Sequence, residues 1–233
     1  MQPDDLEFNV ARIGAVTGWL ALAAILAFSV FGPMIVAGQR ISGTLDPAAI
    51  AAYYRHGALA TVSAAAFSII VFFLPFALAL RQVLSMNERA RFLSTLGLAF
   101  AVAAVPLYLS DASVQSALVG AAAAGSDIVP LFRFWDIQYN SASYVLEAGY
   151  VAAFSMSMRG APGFPRWMSR YGLIVAATLL INATALFVGI PDNLTLIGNL
   201  ALVGWFVGTN IGLSRLARQS RVAARAAATT AIS

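Results

Sequence analysis

The sequence contains no cysteine, no lysine and only one histidine, His56. Without cysteine the chain has no disulfides, thiolate metal sites or cysteine nucleophiles. Without lysine it has no retinal Schiff base and no other lysine–imine chemistry. Bis-histidine haem ligation and histidine-rich zinc sites require more than one histidine in a chain, so these classes are excluded as well.

Charged residues are also scarce. They make up 10% of the 233 residues, whereas hydrophobic residues make up 60%, and the mean hydropathy is +0.80. Soluble globular domains carry roughly 25% charged residues. We therefore predict an integral membrane protein formed by one compact bundle, because no hydrophilic run is long enough for a soluble domain.

Six apolar segments are long enough to be transmembrane helices. The predicted fold is all-α, a single transmembrane domain over residues 1–233 with an arginine-rich tail over 214–233. The predicted helices cover about residues 13–37, 58–80, 92–109, 130–158, 171–189 and 194–213.

Two further segments are predicted to be helical without crossing the membrane. Asp46-Pro47 has the pattern of a helix start, so a short amphipathic helix is expected over Ala48–Arg55. The Ala- and Gly-rich segment Ser110–Asp127 is predicted to be a short helix that lies at or dips into the membrane interface. A separate span over this segment is the alternative.

The arginines predict the orientation in the membrane, since positive residues collect on the cytoplasmic side. With six helices, eleven arginines fall on the side of both termini and three on the other: Arg12, Arg81, Arg89, Arg91, Arg159, Arg166, Arg170, Arg215, Arg218, Arg221 and Arg225 against Arg40, Arg55 and Arg133. Both termini are therefore predicted to be cytoplasmic, and the expected location is the bacterial inner membrane.

The apolar segment Ile128–Met158 contains polar residues at three- and four-residue steps, which places them along one face of a helix. They are Arg133, Asp136, Asn140, Tyr144 and Glu147. Arg133 and Asp136 have the spacing of a surface ion pair. Glu147 lies deepest, and an acidic residue within a membrane is a functional-site hypothesis by default.

Glu147 and Asn182 are predicted to lie at the same depth. Each is twelve residues from an arginine at the cytoplasmic surface, Arg159 or Arg170, which is about 18 Å along a helix. Because a buried carboxyl without a charged partner is neutral, Glu147 is expected to donate a hydrogen bond to Asn182, Tyr108 or Tyr150. The functional hypothesis is a proton- or substrate-coupling site, and the alternative is a structural hydrogen bond between helices.

Two other patterns suggest contacts. Gly204, Gly208 and Gly212 recur every four residues, which predicts a groove for close helix packing. The packing is either intramolecular or a homo-oligomer seam. The arginines of the tail fix the topology or bind anionic lipids. They are Arg215, Arg218, Arg221 and Arg225.

No nucleophile elbow, HExxH motif, P-loop or dinucleotide fingerprint is present. We therefore predict that the protein is not an enzyme and uses no cofactor or metal. Membrane lipids are its expected partners, together with a second copy of the chain or another membrane protein, and nucleic acid is not expected. Three functions remain open: a small transporter using Glu147, an accessory or scaffolding subunit, and a lipid-binding protein.

The motifs Pro165-Arg166-Trp167-Met168 and Tyr171-Gly172-Leu173 resemble those of a family of bacterial multi-pass membrane proteins classed as a domain of unknown function. Ala51-Ala52-Tyr53 and Leu80-Arg81 are similar to that family as well. The resemblance covers most of the chain. It implies a six-helix membrane bundle and no particular activity, and Glu147 matches none of the family's motifs.

Overall fold

The computed structural model describes residues 3–31, 47–55, 59–85, 88–188 and 192–230. This part of the chain is helical apart from short turns and contains no strand, which confirms the all-α prediction. The helices are α1 Pro3–Phe31, α2 Pro47–Arg55, α3 Leu59–Leu84, α4 Glu88–Ala123, α5 Val129–Ile137, α6 Tyr144–Ser157, α7 Arg166–Val188 and α8 Asp192–Thr230. A six-residue π-helix, Gln138–Ser143, joins α5 to α6.

The long helices form a closed ring in chain order. α1 packs against α3, α3 against α4, α4 against α6, α6 against α7 and α7 against α8, and α8 packs against α1 to complete the ring. The connections from α3 to α4 and from α7 to α8 are only three residues long, which makes each of these pairs antiparallel neighbours. Large apolar side chains, including Phe73, Phe76, Tyr150, Phe154 and Trp205, fill the centre of this ring.

The ring closes at α1 because two glycines of this helix allow close approach on both sides. A Cβ atom added at Gly14 would lie 2.6 Å from the Cβ atom of Ala79 on α3. A Cβ atom added at Gly18 would lie 2.6 Å from Phe76 of α3 and would also meet Asn210 of α8. α1 is therefore wedged between the helices that precede and follow it around the ring.

The three regularly spaced glycines of α8 lie against the chain's own α7 and the turn before it. Gly204, Gly208 and Gly212 face Tyr171, Met168 and Phe164 respectively. The hydroxyl of Tyr171 also donates a hydrogen bond to the carbonyl of Ala201, at 2.8 Å. A second copy of the chain would have to displace α7 to use the same groove, so the geometry favours the intramolecular interpretation.

The prediction of a separate interfacial helix after Leu109 is wrong. α4 continues without a break from Glu88 to Ala123, with Pro106 inside it, and the chain turns only at Gly125, whose φ angle is +71°. The Ala- and Gly-rich composition suggested an end near Ser110. The continuation is instead stabilised by packing, since Leu118 and Ala122 are fully buried in a small apolar cluster with α2 and α5.

The predicted end of the last helix also differs from the end seen in the structure. α8 continues from the apolar segment through the arginine-rich tail to Thr230, so the predicted helix end at Leu213 is wrong. The short helix before the second long helix is confirmed as α2. The described part of the first helix ends at Phe31, and the predicted continuation to Ala37 lies outside the described residues, as do Asp46 and His56.

Within the described residues, three helices are long and apolar enough to cross a membrane. The apolar segments are Asn9–Leu26 of α1, Glu88–Ala123 of α4 and Ile197–Gln219 of α8. A shorter apolar segment, Val71–Leu84, belongs to α3. These segments indicate a membrane protein.

The contact of α1 with its neighbours generates a test. We expect Gly18→Ala to lower the free energy of unfolding by about 1–3 kcal/mol, because the added methyl group overpacks the buried contact with Phe76 and Asn210. This loss should lower Tm in mild detergent by at least about 2 °C. The control is Gly120→Ala in α4, where nothing lies within 4 Å of the added atom. Equal Tm values for the two variants would contradict the wedged position of α1.

Candidate functional site

Glu147 lies on the face of α6 that points into the bundle, and only 9% of the residue is exposed. The hydroxyl of Tyr108, on α4, donates a hydrogen bond of 2.9 Å to its Oε1 atom. Tyr108 is one of the three partners predicted from the sequence, but the tyrosine hydroxyl is the donor, whereas the prediction had Glu147 donating. The bond joins two neighbouring helices of the ring at a point surrounded by apolar side chains.

Aromatic rings enclose this hydrogen bond. The ring of Phe73, on α3, lies 6.2 Å from that of Tyr108 and 5.1 Å from that of Tyr150, measured between centroids. Trp205, on α8, contacts Tyr150 from the other side, at 6.1 Å. Four helices, α3, α4, α6 and α8, therefore contribute aromatic side chains to the surroundings of the Glu147 carboxyl.

The π-helix changes how the predicted polar stripe is arranged. Hydrogen bonds from residue i to i+5 widen the helix, so the residues after Ser143 are rotated about the axis relative to an α-helical continuation.

In the structure Arg133 is exposed whereas Asp136 is buried, so the two side chains do not share a surface. Tyr144 and Glu147, which follow the π-helix, are both buried.

Hydrogen bonds from its own side chains hold the π-helix between two neighbours. The hydroxyl of Ser141 donates to the carbonyl of Ala183 on α7, at 3.1 Å. The amide nitrogen of Gln138 donates to the carbonyl of Leu107 on α4, at 3.3 Å. π-Helical turns occur frequently at functional sites, and this turn begins two helical turns before Glu147.

Asn182 does not meet Glu147. It is buried on α7 against Gly198 of α8, where an added Cβ atom would contact its side chain. Although the sequence predicts the same depth for both residues, Glu147 faces α4 and Asn182 faces α8, so their side chains are not in contact. The side chain of Asn140, also predicted for this site, lies outside the described part of the structure.

A third buried carboxyl, besides those of Glu147 and Asp136, was not among the predicted site residues. Asp111 lies one helical turn from Tyr108 on α4 and is 4% exposed. Its Oδ1 atom accepts a hydrogen bond of 3.0 Å from the side-chain amide of Gln138, and the hydroxyl of Ser110 donates to the Oε1 atom of Gln138, at 3.2 Å. The Oδ2 atom of Asp111 is buried and has no partner among the described residues.

Gln115 lies one turn further along the same face of α4 and is hydrogen-bonded to α2. Its Oε1 atom accepts a hydrogen bond of 2.9 Å from the hydroxyl of Tyr54. The neighbouring Arg55 donates from Nε to the carbonyl of Ala122, at 3.0 Å, near the end of α4. Tyr108, Asp111 and Gln115 thus form a polar column on α4 that begins at Glu147 and ends beneath α2.

The spacing of Tyr108, Asp111 and Gln115 is three and four residues, which marks one face of a helix. This signal was available in the sequence. The pattern was not recognised because the predicted helix ends at Leu109, which places Tyr108 and Asp111 in different helices.

The buried polar side chains of the described core include acids but no arginine. No cluster of three or more histidine, cysteine or acidic side chains occurs in this part of the chain. At the cytoplasmic end of the bundle predicted from the sequence, Arg215 and Arg218 of α8 are exposed. The side chains of Arg221 and Arg225, further along α8, lie outside the described residues.

No protein-family model matches this chain, and neither curated proteins nor solved structures provide a match. The resemblance to a family of multi-pass membrane proteins therefore stays a prediction. Any functional assignment rests on the chemistry of the buried carboxyls.

Proposed function

We propose that the protein is a six-span inner-membrane protein with both termini in the cytoplasm. α3 has 26 residues and α7 has 23, so at about 1.5 Å per residue each exceeds the roughly 30 Å hydrocarbon core. Both lie in the same closed ring as the three strongly apolar helices. One layer of lipid would therefore surround all six helical rods, with α5, the π-helix and α6 forming one of them.

This topology is tested by reporter fusions. Fusions at Ser85 and Ser233 should be fluorescent with a green fluorescent protein and inactive with a periplasmic alkaline phosphatase, whereas fusions at Gly125 should behave in the opposite way. The short turns on either side of α4 must lie on opposite sides of the membrane if α4 crosses it. Phosphatase activity at Ser85 or Ser233 would contradict the proposal.

We further propose that this membrane protein is a small proton-coupled transporter in which Glu147 binds the coupling proton. The observation that supports this function is the buried Glu147 carboxyl, which is hydrogen-bonded to Tyr108 and has no basic partner among the described residues. Glu147 is ten residues from Ser157, the end of α6, or about 15 Å from one surface. It would therefore lie near the middle of the bilayer, where an ionised carboxylate is costly.

The energetic cost of an ionised carboxylate at this position is what would allow Glu147 to bind and release a proton. An empty site keeps its proton because the apolar surroundings disfavour the charged carboxylate. Release of the proton becomes favourable only when another positive group or water replaces it. The polar column of Tyr108, Asp111 and Gln115 offers hydrogen-bonding groups between Glu147 and α2, the end of the bundle that the topology assigns to the outer surface.

The test uses sealed proteoliposomes that contain a fluorescent pH indicator, with a deproteinised bacterial metabolite extract added outside to supply substrates. We expect the extract to cause proton movement in wild-type vesicles. Glu147→Gln should slow this movement at least tenfold, because the amide retains the shape but cannot release a proton.

The control variant is Glu88→Gln, which changes an exposed acid at the start of α4 and should leave the rate unchanged. Thermal unfolding of each purified variant shows whether it is folded. Proton movement that is equal in wild type and Glu147→Gln, or absent from wild type, would overturn the proposed function.

A further inference from the structure

Within the described residues, the interior of the bundle contains buried acids and no buried arginine. Asp111 and Glu147 are both buried, and Tyr108, which is hydrogen-bonded to Glu147, lies one helical turn from Asp111 on α4. Two carboxylates in such surroundings cannot both be ionised without added positive charge, since a like charge nearby and low dielectric both oppose ionisation.

Of the two carboxyl oxygens of Asp111, only Oδ1 accepts a hydrogen bond at bonding distance within the described residues. Gln138 donates to its Oδ1 atom, at 3.0 Å, and the buried hydroxyl of Ser143 also faces the carboxyl, while the buried Oδ2 atom has no partner at hydrogen-bond distance in the described part of the chain. A buried oxygen without a hydrogen bond destabilises the folded protein, because it has lost its bonds to water. A ligand that brings a positive charge or a donor to this atom would offset that loss.

Tyrosine side chains lie close to the two carboxyls. Tyr108 is bonded to Glu147, and Tyr144 and Tyr150 lie one turn before and after Glu147 on α6. The ring of Tyr139, in the π-helix, lies 6.2 Å from that of Tyr144 and is stacked on that of Trp135 at 5.3 Å. The faces of such rings attract cations, most strongly where water is excluded.

We propose that the substrate of this site is an organic cation, an amine or quaternary ammonium compound, held between Asp111 and Glu147 against the tyrosine rings. The inference rests on the proposed proton-coupled transport and identifies the class of its substrate. A metal ion fits these residues less well, because hard cations take six or more oxygen ligands and the described residues contain no cluster of three acidic or histidine side chains.

The exchange conserves charge. When the cation binds, the carboxyls release a proton and become its counter-ion, so the net charge of the interior stays the same. Among the described residues, the titratable groups that face the two carboxyls are tyrosines from three elements: Tyr108 of α4, Tyr139 of the π-helix and Tyr150 of α6. The facing aromatic groups from α3 and α8 are Phe73 and Trp205, which do not titrate.

The experiment is isothermal titration calorimetry on the full-length protein in mild detergent, with three cations of increasing size: choline, benzyltrimethylammonium and tetraphenylphosphonium. We expect at least one of them to bind, with release of about one proton per cation, measured in two buffers of different ionisation enthalpy. The matched ligand control is 3,3-dimethylbutanol, which has the shape of choline without its charge and should not bind.

The variant Asp111→Asn should weaken binding of the cation at least tenfold, since it removes the negative charge and keeps an oxygen for the bond from Gln138. Glu88→Gln should leave the affinity within threefold of wild type. Thermal unfolding identifies any variant that fails to fold, and the affinity of a folded Glu147→Gln protein, which should also fall at least tenfold, then provides the second test.

The outcomes separate this inference from the proposed function. Absence of binding by all three cations, or equal affinity in wild type and Asp111→Asn, overturns the inference, whereas proton movement with the metabolite extract would still support the transporter. Cation binding without proton release would contradict proton coupling at Glu147, and the inference fails with it.

Discussion

A carboxyl group buried among apolar helices must be neutral or must be matched by a positive charge. This constraint governs the interior of the bundle, where Glu147 accepts a hydrogen bond from Tyr108 and Asp111 accepts one from Gln138. Both acids are buried, whereas none of the described arginines is buried. A proton or a bound cation is then the charge that can balance them, and the proposed transport follows from that requirement.

The same constraint connects the fold to the site. α4 must continue past Leu109 for Tyr108 and Asp111 to share one helical face, and the π-helix must interrupt the next rod for Gln138 to reach α4. Close packing of α1 through Gly18 completes the ring around them. A regular α-helix in place of the π-helix would rotate Glu147 away from its present neighbours.

Composition and hydrophobic periodicity predict the all-α membrane class, most of the long helices and the burial of Glu147. These features depend on local sequence, so they can be inferred without tertiary contacts. The length of α4 could not be inferred in this way. Its second half is rich in alanine and glycine, and packing of Leu118 and Ala122 against α2 and α5 stabilises it. The π-helix was also missed, because side-chain bonds to α4 and α7 hold it in place. For these reasons the sequence predicts a contact between Glu147 and Asn182 that the structure does not contain, and it does not single out Asp111 as a site residue.

The most direct test of the central claim is infrared difference spectroscopy of the purified protein across a pH titration. Wild type should show the carbonyl band of a protonated carboxyl at neutral pH. The band should disappear in Glu147→Gln, and it should shift in Tyr108→Phe, where the hydrogen bond to Oε1 is lost. A wild-type protein without a band that depends on Glu147 would mean that the carboxyl is permanently ionised. That result would contradict the account.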